Sequence, residues 1–371
     1  MHLTPLALRA ALALSLLLPL SAAAQIKIGQ TAGFSGPVAA GVKETTDGAK
    51  LYLDAVNASG GINGQQLELI SLDDGFDPKL AAENAKKLLA QDVLALFLTR
   101  GTPHAQAILP LLAETRTPLI APSTGAMVLH SPVNPWVFNV RASYQREAEK
   151  AVQYLSTVGA RRITLVHVDD SFGADAAIGA LKGFDAVKLR PQIVLKFDRA
   201  KPELAGLVEQ IVRGDSQAVL FIGSGSVVAD GVALMRAAGS KAQVATLSNN
   251  AASGFVKSLK EHGRGVIVTQ VFPYERSLAT PLVRQAQELA KAKGLGDLTP
   301  ANLEGFTAAK VLVEGIKRAG KNPTRVGLQR ALDGLKGFDV GGLEVSFSPT
   351  DHSGLDFADL SIIGPDGKFW R

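Results

Sequence analysis

Cysteine is absent from all 371 residues. That excludes a disulfide framework, a lipid-anchored cysteine and any metal or nucleophile site built on a thiolate. Several phosphate and catalytic signatures are missing as well. No GxxxxGK[ST] occurs, "GQTAGFSGP" (Gly29 to Pro37) and "GSGS" (Gly223 to Ser226) lack the dinucleotide spacing, and no GxSxG elbow is present. The histidines are His2, His104, His130, His167, His262 and His352, and none stands at metal-ligand spacing from another. Asp73, Asp74 and Asp77 in "LDDGFDP" resemble part of a calcium loop, but the glycine falls early and the closing glutamate is missing, so a solvated turn and helix cap is expected. No basic block interleaved with aromatics occurs. Lys and Arg alternate with Asp and Glu, as in "EKAVQYLSTVGARR", which argues against a nucleic-acid partner despite a formal charge of +5.

Long hydrophobic runs are also scarce. "ALALSLLLPL" (Ala11 to Leu20) is about half the ~20 residues that span a bilayer. With His2 and Arg9 before it and Ala22, Ala23 and Ala24 after it, residues 1–24 read as an export signal cleaved near Ala24. About 347 residues then remain, more than one core normally serves, so two domains are expected. With 46% hydrophobic and 20% charged residues the chain has ordinary globular material to build them.

From Ile26 onward short apolar runs alternate with longer amphipathic ones, the grammar of a parallel sheet covered by helices, so an α/β class is expected. "IKIGQTA", "QQLELISLDD", "VLALFL" and "TPLIAPSTG" read as strands with their exit loops. "TDGAKLYLDAVNASGG" (Thr46 to Gly61), "PKLAAENAKKLLAQ" and "TPHAQAILPLLAETR" read as helices. The grammar resumes at "RRITLVHVDDSFG". Two segments, "LFLTRGTPHAQAILPLLAETRTPLIAPSTG" and "LFIGSGSVVADGVALMRAAGSKAQVATLSNN", repeat one plan at a constant offset, pairing Leu96 with Leu220, Arg100 with Ser224 and Thr124 with Ser248. Two lobes of like fold follow from that repeat.

In open parallel sheets ligands sit beyond the carboxyl ends of the strands. The loops there hold Thr99 to Thr102, Ser123 to Gly125, Asp169 to Phe172, Gly223 to Ser226 and Ser248 to Asn250, and if the lobes face each other these loops line one cleft. Arg100 is the sharpest candidate, since a guanidinium grips a carboxylate through two parallel hydrogen bonds. The bland alternative is a solvent-facing or interdomain arginine. Thr102 is either a ligand hydroxyl or the N-cap of the helix after it. Ser123 and Thr124 suit a carboxylate or carbonyl, or a plain turn.

The chain resembles the branched-chain amino-acid and amide binding proteins of bacterial ABC importers, which have the type I periplasmic-binding fold. The resemblance covers nearly all of Ile26 to Arg371. It is carried together by "IKIGQTAGFSGP", "PLIAPSTGA", "NVRASYQREA", "DDSFGADA", "VLFIGS", "LEGFTAAKVLVEGIKRAG" and "GGLEVSFSPTDHSG". It implies two Rossmann-like lobes joined by three crossings, with 26–142 and 275–348 in one lobe and 143–274 and 349–371 in the other. It further implies hinge closure on a small-molecule ligand, delivery to permease subunits, a periplasmic monomer, and no cofactor, metal or catalysis. A ligand-sensing module for a membrane receptor is the alternative use of the same cleft; an exported hydrolase is the more distant one.

In such amino-acid binders a carboxylate holds the ligand ammonium, and here the neutral Asn249 stands at or beside that position. Phe172 matches one aromatic position, "GSGS" with Ser224 replaces another, and Arg100 lies near the carboxylate-binding hydroxyl. An unpaired ammonium would be costly in a closed cleft. The expected ligand is therefore an acid or amide without a free amine, held by Arg100, Thr102, Ser123, Thr124, Phe172, Asp170, Ser224, Asn249 and Asn250. If Asp169 or Asp170 supplies the missing charge, an amino acid remains the ligand.

Overall fold

The computed structural model describes residues 25–371; the export signal expected over 1–24 lies outside them. Two sheets organise the chain. The first takes β1 (Ile26–Ala32), β2 (Leu67–Asp73), β3 (Ala95–Phe97), β4 (Leu119–Ile120) and β5 (Val137–Phe138) in the order β2-β1-β3-β4-β5, all parallel. The helices between them are α1 (Ala39–Ala58), α2 (Pro78–Ala90) and α3 (Thr102–Thr115). The second sheet holds β6 (Ile163–Val168), β7 (Val194–Phe197), β8 (Ala218–Ile222), β9 (Gln243–Thr246) and β10 (Ile267–Gln270) in the matching order β7-β6-β8-β9-β10. Antiparallel β13 (Asp359–Ile363) and β14 (Phe369–Trp370) extend it beyond β10. The helices of this part are α4 (Tyr144–Thr157), α5 (Ser171–Ala186), α6 (Leu204–Arg213), α7 (Gly225–Ala237) and α8 (Ser253–Ser258). α9 (Pro281–Ala292), α10 (Pro300–Arg318) and α11 (Arg325–Asp333) follow, then the hairpin of β11 (Phe338–Asp339) and β12 (Glu344–Val345).

The repeat seen in the sequence is a repeat in space. In each sheet the strand order reverses beside the first strand of the unit, the switch point where a doubly wound sheet leaves a crevice. Leu96 pairs with Leu119 and Leu220 pairs with Ala245, so the second copy runs two residues longer between partners. Their central strands are buried throughout, as parallel strands covered on both faces must be.

Each sheet has its own apolar core. The first collects Ile28, Phe97, Phe138 and Leu51 with Leu303, Phe306 and Leu312 of α10. Leu165, Phe184, Phe221 and Val244 belong to the second. Val271, Phe272 and Leu355 pack in the first core, whereas β13 joins the second sheet, so the chain passes between the lobes after β5, around β10 and before β13. α1 begins at Ala39, earlier than the helix expected from Thr46, because Val42, Thr45 and Thr46 are already buried against the rest of the lobe. Asp77 caps α2 by accepting from Lys79 N at 2.8 Å, which is the cap expected of "LDDGFDP". Among the described residues no group of side chains could hold a metal ion and no helix is long and apolar enough to cross a membrane.

Candidate functional site

The exits of β3 and β4 are built on two non-glycine residues with positive φ, Leu98 (53°) and Ala121 (49°). Such backbone is disfavoured for residues with a Cβ and persists where the surroundings impose it. It turns the chain out of the sheet immediately before Arg100 and Ser123, which form a parallel bridge, with Ser123 N donating to Thr99 O at 2.9 Å. Arg100 is 6% exposed. Its Nη1 donates to Ser123 Oγ at 2.8 Å and its Nη2 to the main-chain oxygen of Asn249 at 2.6 Å. Asn249 lies beyond β9, so this guanidinium joins the two lobes. Among the described residues no carboxylate lies within ion-pair distance of it. Ser123 in turn donates to Glu304 Oε1 of α10 at 2.6 Å.

Beside this chain of bonds lies a second buried cation. Arg141, 2% exposed, donates through Nη2 to Glu147 Oε1 and to Ser248 Oγ, the latter at 2.6 Å. Its Nη1 comes within 3.7 Å of Glu304 Oε1 without a hydrogen-bond partner. Glu147 is fully used: its other oxygen accepts from Ser248 N at 2.9 Å and from the Thr269 hydroxyl. Tyr144 lies under the Arg141 guanidinium, 4.8 Å from ring centroid to Cζ, and meets Phe172 edge-on at 4.7 Å. Burial raises the pKa of the Tyr144 phenol, and the nearby charges of Arg141 and Arg100 pull it partly back.

The structure brings most of the candidate residues into this region, with differing roles. Thr102 is not the cap of α3; Gly101, at φ 98°, takes that position. The Thr102 and Thr124 hydroxyls instead bond each other at 2.8 Å. Asn250 is tied to its own lobe, donating to Thr246 Oγ1 at 2.9 Å and Gly223 O at 3.2 Å. Asn249 Nδ2 donates to Gly223 O at 2.9 Å, and its buried Oδ1 has no partner. Ser224 precedes α7 without a side-chain cap bond.

Asp170 is engaged rather than free. One oxygen accepts from Phe172 N at 3.0 Å and Gly173 N at 3.1 Å, capping α5, and the other accepts from Arg199 Nε at 2.5 Å. Asp169 pairs with Lys196 at 3.0 Å on the exterior. Each of these carboxylates thus has a cationic partner within the protein.

The residues that sequence reasoning passed over are Arg141, Glu147 and Glu304. All three lie inside quoted strings, "NVRASYQREA" and "LEGFTAAKVLVEGIKRAG". The available signal was a charge at an otherwise apolar position, Arg141 after "VFNV" and Glu304 between Leu303 and Gly305, because a buried charge implies a partner.

A cavity of about 290 Å³ opens beside Arg100 between α1 and the second lobe, lined by Gly41, Gly225, Asn249, Asn250, Ala252 and Phe255. A Cβ on Gly41 would lie 3.7 Å from Arg100 Nη2, which places the guanidinium against the cavity wall. A larger cavity of about 740 Å³ is lined by Arg276, Leu278, Arg284 and Leu295 and touches none of these loops.

Two doubly wound lobes with polar strand-end loops converging between them define a two-lobe binding protein. The periplasmic binding protein family matches over residues 25–356, and the chain belongs to that family. A substrate-binding periplasmic protein from Ralstonia solanacearum is similar at 31% identity and a TM-score of 0.84, covering 93% of this chain and 99% of its own. An extracellular ligand-binding receptor from Verminephrobacter eiseniae follows at 28% identity and 0.85, over 94% of this chain and 100% of its own. A Leu/Ile/Val-binding protein homolog from Brucella melitensis is 23% identical over 89% of each chain. The chain is a binding protein of the type I periplasmic fold, not an enzyme.

Proposed function

We infer that this chain is an exported, periplasmic solute receptor that closes its two lobes on a small carboxylate and presents the closed form to the permease of an ABC importer. In this reading one lobe is built on 26–142 with 275–348 and the other on 143–274 with 349–371, except that Val271, Phe272 and Leu355 at the crossings pack in the first core, and the receptor acts as a monomer without cofactor. The observation that carries the ligand class is Arg100, a guanidinium 6% exposed between the lobes whose partners are neutral oxygens only. A buried charge without a counter-charge is unfavourable, and a ligand carboxylate supplies one through two parallel hydrogen bonds.

The groups at the positions expected to hold a ligand ammonium are neutral or already engaged. Asn249 is neutral, Asp169 and Asp170 are paired, and Glu147 accepts from three donor groups of the protein. The cavity beside Arg100, floored by Phe255 and edged by glycine and alanine, suits an aromatic or short aliphatic remainder. The Brucella relative is named for leucine, isoleucine and valine, so those amino acids are the comparison ligands.

The test is a thermal-shift screen of refolded protein against aromatic and aliphatic carboxylates, their amides, and branched-chain amino acids. A ligand at 100 times its dissociation constant adds about 2.7 kcal/mol of stability. Carboxylates without an amine are expected to raise the midpoint, and Arg100→Lys to weaken them about tenfold or more by losing the planar fork. A shift with amino acids alone overturns the reading.

A further inference from the structure

The cleft carries a contact that the ligand reading does not use. Glu44 of α1 belongs to the first lobe, yet its carboxylate receives the start of α8, a helix whose Phe255 packs in the second core. Oε2 accepts from Ser253 N at 3.0 Å, while Oε1 accepts from Gly254 N at 3.1 Å and Ser253 Oγ at 2.5 Å. On its own side Glu44 is held in place: Thr299 Oγ1 donates to Oε2 at 2.7 Å and Asn302 Nδ2 to its main-chain oxygen at 2.8 Å. Next to it Ala301 N donates to Ala251 O at 3.1 Å, again from first lobe to second.

The approach is close as well as polar. A Cβ on Gly254 would stand 2.2 Å from Ala40 Cβ, so the two helices meet this tightly only because residue 254 is glycine.

The geometry assigns Glu44 to a closure latch: a positioning residue that touches no ligand but sets how much of the protein is closed, and through that the affinity of the cleft. Three second-lobe donors meet this carboxylate only when the lobes are together. In an opened protein they and Glu44 turn to water, so the exchange favours closure by the difference between a charge-assisted bond and a hydrated one. Gly254 gives the latch its reach. The inference rests on the reading that the lobes open and close around a solute, and it places part of the closing free energy in the protein itself.

The chain has no cysteine, which allows a test that needs no ligand. A Cβ on Gly41 would lie 3.9 Å from Ala252 Cβ, within the separation a disulfide spans. In a Gly41→Cys/Ala252→Cys protein under a fixed oxidant, the rate of cross-link formation on non-reducing gels reports the closed population. Glu44→Ala is expected to slow it by about tenfold, with Glu44→Gln between the two. Gly254→Ala should slow it comparably, and adding Ala40→Gly should restore it.

A native circular-dichroism spectrum and an unfolding midpoint well above the assay temperature in every variant separate loss of the latch from loss of the fold. Equal cross-linking rates in all backgrounds overturn the latch. A failure of the carboxylate reading shows in the thermal screen and not in this trap, so the two can fail independently.

Discussion

Glu275, 3% exposed near the passage from β10 to α9, shows what burial does to a single carboxyl. Burial pushes its pKa from 4.5 up to about 7, against the pull of the Arg276 and Arg371 charges. Between those two values the folded protein holds a proton that the unfolded chain has released. Stability from this group is therefore complete below about pH 4.5 and is lost as pH rises through about 7. His104 and His130 work in the opposite sense. Burial lowers each to about 4, so their contribution is lost as pH falls below their ordinary 6.5. The wild-type profile sums these opposing slopes, and a variant difference isolates one. Glu275→Gln is expected to gain on the wild type by about 3 kcal/mol between pH 5 and pH 8, read from urea unfolding at both. An unchanged difference at the two values would place Glu275 in contact with water.

Residues were unequally legible. Arg100 stood out because a charge beyond a buried strand has no local reason to be there. Asp170, expected as a ligand residue and a possible source of the missing charge, is a helix cap paired with Arg199. Arg199 lies on a different loop, and nothing in the spacing of the two residues announces the pair.

At the scale of elements, the contact of α1 with α10 shows why certain glycines are needed. A Cβ on Gly305 would fall 1.7 Å from Thr45 O, and one on Gly48 would fall 2.0 Å from Asn302 O. The two helices therefore run backbone against backbone, which brings Glu304 to the strand-end loops and Asn302 to Glu44. Gly305→Ala forces the helices apart and is expected to cost about 3 kcal/mol, measured as a lower denaturant midpoint. Because α10 carries Glu304, the same variant should disturb the Ser123 bond.

Strands and helices themselves were readable, since burial on two faces or one leaves continuous or periodic apolar runs. The repeated segment also led to the expectation of two lobes of like fold, and the two sheets share one strand order. Less readable was the start of α1. Its first turns include Gly41 and two threonines, and tertiary packing of Val42, Thr45 and Thr46 outweighs their modest helix preference.

At the scale of the whole molecule, each lobe is completed by chain from beyond the other. Leu303, Phe306, Leu312 and Ile316 of α10 fill the first core, although they follow the second sheet's parallel strands in sequence. A chain ending at residue 274 would keep the second lobe's main strands and leave the first core open. It is expected to show one cooperative unit in place of two, with a denaturant m-value reduced in proportion to the missing buried surface. A full first-lobe transition in that fragment would show that the late helices are dispensable.

The sequence by itself determined the alternation of strand and helix, the like plan of the lobes, the polar loops at strand ends and the prominence of Arg100, because each is written in local periodicity or in a residue type out of place. Only the tertiary structure decided which charges meet. Arg141, Glu147 and Glu304, like Glu44 with Ser253 and Gly254, are brought together by lobe packing and by the crossings of the chain. Ion pairs and hydrogen bonds between side chains depend on distance in space, which the fold sets and local sequence does not.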